Sequence, residues 1–194
     1  MSDIKLVLLS CCAPCSAGAI RQLAGGADLP LQNGETVRIS DGIVLFYNPN
    51  IFPESEYQKR LSEQTKLCES LDVKYFIGQY DHDNWLECAH GLEGTPEQGA
   101  RCAQCFKMRL SFGAKWAAAN GYNALATVFG VSKHKSQAQV DAAAIKIISQ
   151  KNNLQYLQID FSESVRIAEN KRHDFYRQNY CGCEFSAKPK TTRN

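Results

Sequence analysis

Apolar and polar positions alternate along the chain in blocks that change period. Ile4 to Ser10 is a short, almost unbroken Ile/Leu/Val run, the pattern of a strand buried on both faces. Cys11-Cys12-Ala13-Pro14-Cys15-Ser16 then turns into an apolar-patterned helix ending near Leu23, with Pro14 and Ser16 suited to its opening. Gly25 to Gly42 is polar and reads as a surface loop or small hairpin. Ile43 to Tyr47 is a second buried strand, stopped by Asn48-Pro49-Asn50. A helix is predicted from about Pro53 to Leu71, a third strand over Val73–Ile77, and a short acidic helix over Asp81–Gly91. A Gly-containing loop leads to a helix over Cys102–Asn120, whose Phe106, Leu110, Gly113 and Ala117 share one face, with Gly121 as its stop. Tyr122–Phe129 is a fourth strand, His134–Gln150 a helix and Leu154–Ile159 a fifth strand. Two short helices, 163–172 and 173–179, lead to Cys181-Gly182-Cys183.

Strand and helix alternate throughout, which predicts an α/β fold: a parallel sheet of about five strands with helices on both faces and a C-terminal helical segment ending in Cys-Gly-Cys. Residues 1–186 are expected to form a single catalytic domain and residues 187–194 a flexible basic tail. At 194 residues one such domain buries a substantial core without staples.

Charged residues make up 22% of the chain and the formal net charge is only +2, so any nucleic-acid surface must be a local patch. Leu6 to Leu9 is too short for a secretory apolar region and lacks a basic flank, and no run approaches membrane-spanning length. A cytoplasmic protein with no membrane association is predicted. Nine cysteines are then the anomaly, because disulfides are not expected in a reducing compartment and an odd number cannot pair completely.

Seven of the nine stand in three turn-like clusters: Cys11, Cys12 and Cys15 after the first strand, Cys102 and Cys105 opening a helix, and Cys181 with Cys183 around a glycine. Loops after the carboxyl ends of parallel strands form the ligand crevice of such sheets. A helix start is expected to lower the pKa of Cys102 and Cys105, favouring the metal-binding thiolate. Cys68 and Cys88 lie alone in helical patterns and read as small structural hydrophobes. One tetrahedral zinc needs four ligands, so the surplus favours an iron–sulfur centre, with structural zinc or a redox dithiol as alternatives.

The ordered blocks Cys11–Ser16, Phe46–Ile51, Glu56-Tyr57 with Arg60, Tyr80-Asp81 before Trp85, Arg101–Leu110, Val131–Lys135 and Tyr176–Ser186 resemble the epoxyqueuosine reductases of the QueH type. That resemblance implies an adenine-nucleotide hydrolase-like, Rossmann-like fold. The implied reaction is reduction of the epoxide of epoxyqueuosine, at the wobble position of tRNA, to the alkene of queuosine. It also implies a [4Fe–4S] cluster with an additional adjacent iron, no cobalamin, and an external low-potential electron donor. Cys11, Cys12, Cys102, Cys105, Cys181 and Cys183 become the cofactor ligands, with Cys15 a further metal ligand where some members carry aspartate. The segment from Asp28 to Ser40 is longer than the family suggests, and could alter substrate contacts or dock a partner.

Tyr47, Asn48, Asp81 and Asp83 end strands at the same edge; Asp81 and Tyr47 are the candidate catalytic groups, for proton donation and orientation of the base. Arg101, Lys107, Arg109, Lys133, His134, Lys135, Lys171, Arg172, His173 and Arg177 are candidate phosphate contacts. Tyr176 and Tyr180 could stack on bases. His134 and His173 are weaker candidate metal ligands. No phosphate-binding glycine loop or Ser-Gly-Gly-x-Asp-Ser signature follows the first strand, which argues against the enzyme alternative, an ATP-dependent iron–sulfur tRNA sulfur-transfer enzyme. The non-enzyme alternative is a zinc-stabilised RNA-binding module.

Overall fold

In the computed structural model, which describes residues 3–26, 28–150 and 153–186, strand β1 (Ile4–Ser10) takes the centre of the sheet because both its faces are apolar. Leu6 and Leu8 point into one core and Val7 and Leu9 into the other, as period-two alternation requires. After β1 come helix α1 (Ala13–Ala24), a small antiparallel hairpin of β2 (Leu29–Pro30) and β3 (Thr36–Val37), β4 (Ile39–Phe46), α2 (Glu54–Ser70) and β5 (Lys74–Ile77). Then follow α3 (His82–Ala89), α4 (Ala100–Ala119), β6 (Ala124–Thr127), α5 (Gln137–Ile148), β7 (Gln155–Tyr156) and α6 (Glu163–His173).

The five-stranded sheet has the order β5-β4-β1-β6-β7 and is parallel throughout. The chain therefore builds outward from β1 on one side, returns, and builds outward on the other. The reversal lies between β1 and β6, and a crevice at their carboxyl ends is the usual ligand position in such folds. Helices cover both faces. Side chains of α1 and α2 join the core containing Leu6 and Leu8, with α6 stacked on α1; α4 and α5 cover the other face. Two glycines permit this spacing: a Cβ on Gly18 would stand 2.8 Å from the Arg166 backbone nitrogen, and one on Gly113 would stand 2.9 Å from Leu9 Cδ1.

The predicted face of Phe106, Leu110, Gly113 and Ala117 is buried, and Gly121 follows α4 at φ +77°. Elsewhere the elements differ in extent. The second long strand begins at Ile39, earlier than the apolar run suggests, because Ile39–Gly42 pair with the start of β1. The fifth strand stops at Tyr156. Beyond it the backbone turns to the hairpin: Gln32 N–H donates to the Gln158 carbonyl (2.9 Å), Asp160 N–H to the Pro30 carbonyl (2.8 Å), and Leu31 bridges Ile159. The long 28–40 segment thus covers part of the chain following an edge strand, where open backbone invites wrong pairing. The helix expected at 173–179 does not form; Asp174, at φ +46°, ends α6 and an irregular segment runs on to Cys181. Ser136 caps α5, so His134 and Lys135 lie in the loop before it rather than on the helix. The predicted tail, 187–194, lies outside the described residues. No described helix is long and apolar enough to cross a membrane.

Candidate metal centre

Cys11 and Cys12 follow β1 directly, and Cys12 is the last residue before α1, so the strand end and the first helical turn bring three sulfurs together. The sulfurs of Cys11, Cys12 and Cys15 all lie within 4.8 Å of one another, and those of Cys11 and Cys12 are 3.9 Å apart. Metal–thiolate bonds of about 2.3 Å at tetrahedral angles place sulfurs about 3.8 Å apart, so this trio has the spacing of a single-ion site. Lys135 Nζ reaches across the sheet reversal to within 3.2 Å of Cys11 Sγ. Hydrogen bonding from Cys12 and Cys15, with the Lys135 and Arg109 charges, holds the Cys11 thiol well below its usual range. Hydrogen bonding to Cys11, with burial, pushes Cys12 up to about 11 and Cys15 well up. Beneath the trio, Gln64 accepts from Ser10 Oγ (2.7 Å) and Ser16 Oγ (3.0 Å) and donates to Cys68 Sγ (3.6 Å). Cys68 is fully buried in the core, as the sequence suggests.

A second group forms one cavity. Cys102 and Cys105 on the first turns of α4 meet Cys181 and Cys183, together with Asn50, Trp85, His134 and Lys135. The Cys-Gly-Cys turn is held from α2 and the segment before it. Arg60 Nη1 donates to the Cys181 carbonyl (3.1 Å), and Phe52 N–H donates to the Gly182 carbonyl (2.9 Å). Gly182 has φ +106°, and a Cβ there would stand 2.9 Å from Arg60 Nη1; only glycine fits. Hydrogen bonding from Cys183, the Lys135 charge and Ser186 lower Cys181 to about 5, while the same pairing raises Cys183. Burial pushes Cys102 up and Cys105 up to about 11, against the lowering expected at a helix start: desolvation outweighs the helix-end field here. Arg109 Nη1 stands 3.9 Å from Cys105 Sγ, so each thiol group has a cation beside it.

Two buried polar atoms test whether this cavity suits an iron–sulfur group. Trp85 Nε1 and Asn50 Oδ1 have no hydrogen-bond partner among the described residues, and both residues line the cavity. An indole N–H only donates, and leaving one buried without an acceptor costs about 1–3 kcal/mol. A thiolate or sulfide is the acceptor such a donor needs. The Trp85 indole therefore suits a sulfur-rich cluster, whereas Asn50 Oδ1, itself an acceptor, needs a donor that sulfur does not supply; sequence reasoning missed both residues as cavity lining. For Trp85 the signal was its i, i+4 pairing with Ala89 in an otherwise exposed helix.

Other expectations need correction. Arg101 and Arg109 are 2% and 1% exposed and face inward. Arg101 Nη1 donates to the carbonyls of Leu92, Glu93 and Thr95 (3.2, 2.6 and 2.6 Å), fixing the loop before Cys102. Arg109 donates to Asn48 Oδ1 and the Tyr47 carbonyl and lies over the Phe129 ring. Neither guanidinium is available to phosphate. Lys133 and Arg177 are exposed, whereas His134 faces Glu97 (3.2 Å) and Lys135 faces Cys11. Lys171 is exposed on α6, and Arg172 and His173 pair with Glu169. Tyr176 and Tyr180 hydroxyls donate to Glu56 and to the Phe52 carbonyl. Tyr47 is buried, its ring stacked on Phe112 at 3.8 Å, and Asp81 caps α3 by accepting from Asn84 N–H; neither lines the cysteine cavity. Asp83 is exposed. Cys88 is exposed too, because only Trp85 and Ala89 of α3 turn inward.

Sequence comparison gives this arrangement a context. The family profile described as epoxyqueuosine reductase QueH matches residues 6–189. The epoxyqueuosine reductase QueH of Acinetobacter baylyi is 36% identical over 186 residues, covering 94% of this chain and 80% of that protein. That of Histophilus somni is 34% identical over 187 residues, covering 94% of this chain and 72% of that protein. In structure, 97% of this chain aligns with the U34-tRNA thiolase NcsA from Methanococcus maripaludis, solved with its [4Fe-4S] cluster, at a TM-score of 0.58. The chain spans 63% of that protein's length at 13% identity, a likeness of fold alone.

Proposed function

The chain belongs to the epoxyqueuosine reductase QueH family, and from that membership we propose that it reduces epoxyqueuosine in tRNA to queuosine, without cobalamin and with an iron–sulfur centre. The reaction takes two electrons and two protons, opens the epoxide to an alkene and releases its oxygen as water. The observation that carries the cofactor reading is the convergence of seven thiols from three distant segments at the sheet reversal.

Cys102, Cys105, Cys181 and Cys183 would hold a [4Fe–4S] cluster, and Cys11, Cys12 and Cys15, at single-ion spacing, an adjacent iron. Once bound, such a pair supplies electrons singly at low potential and a Lewis acid for the epoxide oxygen. The protein's own part is electrostatic and steric. Lys135 at Cys11 and Arg109 at Cys105 offset the negative charge of the thiolates in a buried place. An external low-potential donor delivers the electrons, and the enzyme works in the cytoplasm with tRNA.

The test supplies epoxyqueuosine-containing tRNA and a low-potential reductant under anaerobic conditions, without ATP or cobalamin. The expected product is a nucleoside lighter by one oxygen, made by protein carrying about five irons and four sulfides. Strict ATP dependence, a product heavier by sulfur, or activity with one zinc and no iron overturns the reading.

A further inference from the structure

Helices α4 and α5 run side by side over one face of the sheet and leave a groove of about 570 Å³ between them. Both helices begin at the sheet edge that carries the thiols: Cys102 and Cys105 open α4, and Lys135 stands just before α5. Gln104 and Gln139 line the end of the groove nearest the cysteine cavity, and the rest runs away from it along the two helices. Lys107 and Lys115 project from α4 and Lys146 from α5; all three are exposed and all line the groove. No carboxylate lines it, and none of the three lysines takes part in an ion pair among the described residues. Ala142 and Ala143 keep its α5 wall low.

We propose that this groove seats the sugar–phosphate backbone of the substrate tRNA beside the nucleotide presented to the cysteine cavity. The inference rests on the reading of tRNA as substrate and names the surface that receives it. Lys107 and Lys115 are eight residues apart, about 12 Å along a helix, which spreads charge along a strand instead of focusing it on one anion. The Gln104 and Gln150 amides and the Ser111 hydroxyl add donors for phosphate and ribose oxygens. The walls offer small residues and a single Ile147 in place of the aromatic anchors on which a tight protein interface depends. Arg101 and Arg109, two of the cations that the sequence suggested for this task, are buried, whereas the groove lysines are exposed beside the site.

The test uses the iron-loaded enzyme and the triple variants K107E/K115E/K146E and K107Q/K115Q/K146Q. Visible iron–sulfur absorbance should match the wild type, since all three side chains are exposed. Binding of epoxyqueuosine-containing tRNA should weaken at least tenfold in the charge-reversed protein and less in the neutralised one. The slope of log affinity against log salt should become shallower by about 2 to 3, as loss of three phosphate contacts predicts. KM for tRNA should rise with kcat little changed. Unchanged affinity and slope, in variants measured beside a wild type that reduces the tRNA, overturn the groove and leave the substrate reading intact. Normal tRNA binding with loss of electron delivery from an acidic protein donor also overturns it, assigning the groove to that donor. A wild type that does not bind the tRNA overturns both.

Discussion

Replacing Arg60 by Met asks whether the Cys-Gly-Cys turn is held from α2. Arg60 is 2% exposed. Its Nε donates to Glu56 Oε1 at 2.8 Å, its Nη1 to the Cys181 carbonyl at 3.1 Å, and the guanidinium lies over the Tyr180 ring at 5.3 Å. Removing one partner of a buried ion pair costs about 3–5 kcal/mol, because the other charge stays behind in a poor solvent for it. Glu56 keeps one donor, the Tyr176 hydroxyl at 3.0 Å, which places the expected loss at the lower end of that range. For a chain of 194 residues, about 3 kcal/mol lowers Tm by about 6–12 °C. The measurement belongs on metal-free protein, so that differences in metal occupancy do not add to the shift. E56M/R60M leaves no buried charge and should recover most of the lost stability. Both variants lack the bond to the Cys181 carbonyl, so both should hold less iron and sulfide per chain after anaerobic reconstitution. A double variant no more stable than R60M refutes the ion-pair argument. Full iron content in R60M refutes the link between α2 and the thiol turn.

Two further outcomes are expected. Trp85→Phe keeps a buried ring but removes the indole N–H, and should lower the reduction potential of the loaded enzyme, because hydrogen bonds to sulfur favour the more negative, reduced cluster; an unshifted potential in a redox titration would mean that the N–H serves another acceptor. Cys102→Ala or Cys181→Ala should lose iron and sulfide on chemical analysis, whereas Cys68→Ala should keep both and cost about 1 kcal/mol of fold stability, the scale of an ordinary core substitution.

The central strands were legible because residues buried on both faces leave an unbroken apolar run, as Leu6–Leu9 and Ile43–Phe46 do. The topology rule then placed the first thiol cluster, Cys11 to Cys15, at the ligand-binding sheet edge before any coordinates. What the chain hid was decided by partners far away in sequence. Arg109 looks like a surface charge until Asn48 and the Tyr47 carbonyl, about 60 residues earlier, supply its acceptors. Lys135 read as a phosphate contact because nothing local shows Cys11 beside it. The fifth strand was cut short by a hairpin over 120 residues upstream, which no local pattern in Leu154–Ile159 announces. Cys88 is different: the Trp85–Ala89 stripe excludes it from the core at helical period, and the sequence already contained that signal. The division of seven thiols into a close trio and a wider group of four is purely tertiary.

The Lys135–Cys11 contact joins residues 124 positions apart, and this gives the site a history as well as a geometry. Ribosomes add about 5–20 residues per second, so the N-terminal trio exists for roughly 6–25 s before its cation is made. Cys181 and Cys183 come later still. Throughout that interval three closely spaced thiols can meet copper, zinc or oxidants with no neighbouring lysine and no covering turn. If the trio holds iron as proposed, its correct metallation is also a matter of timing, because its cation and the remaining thiols are made only after it.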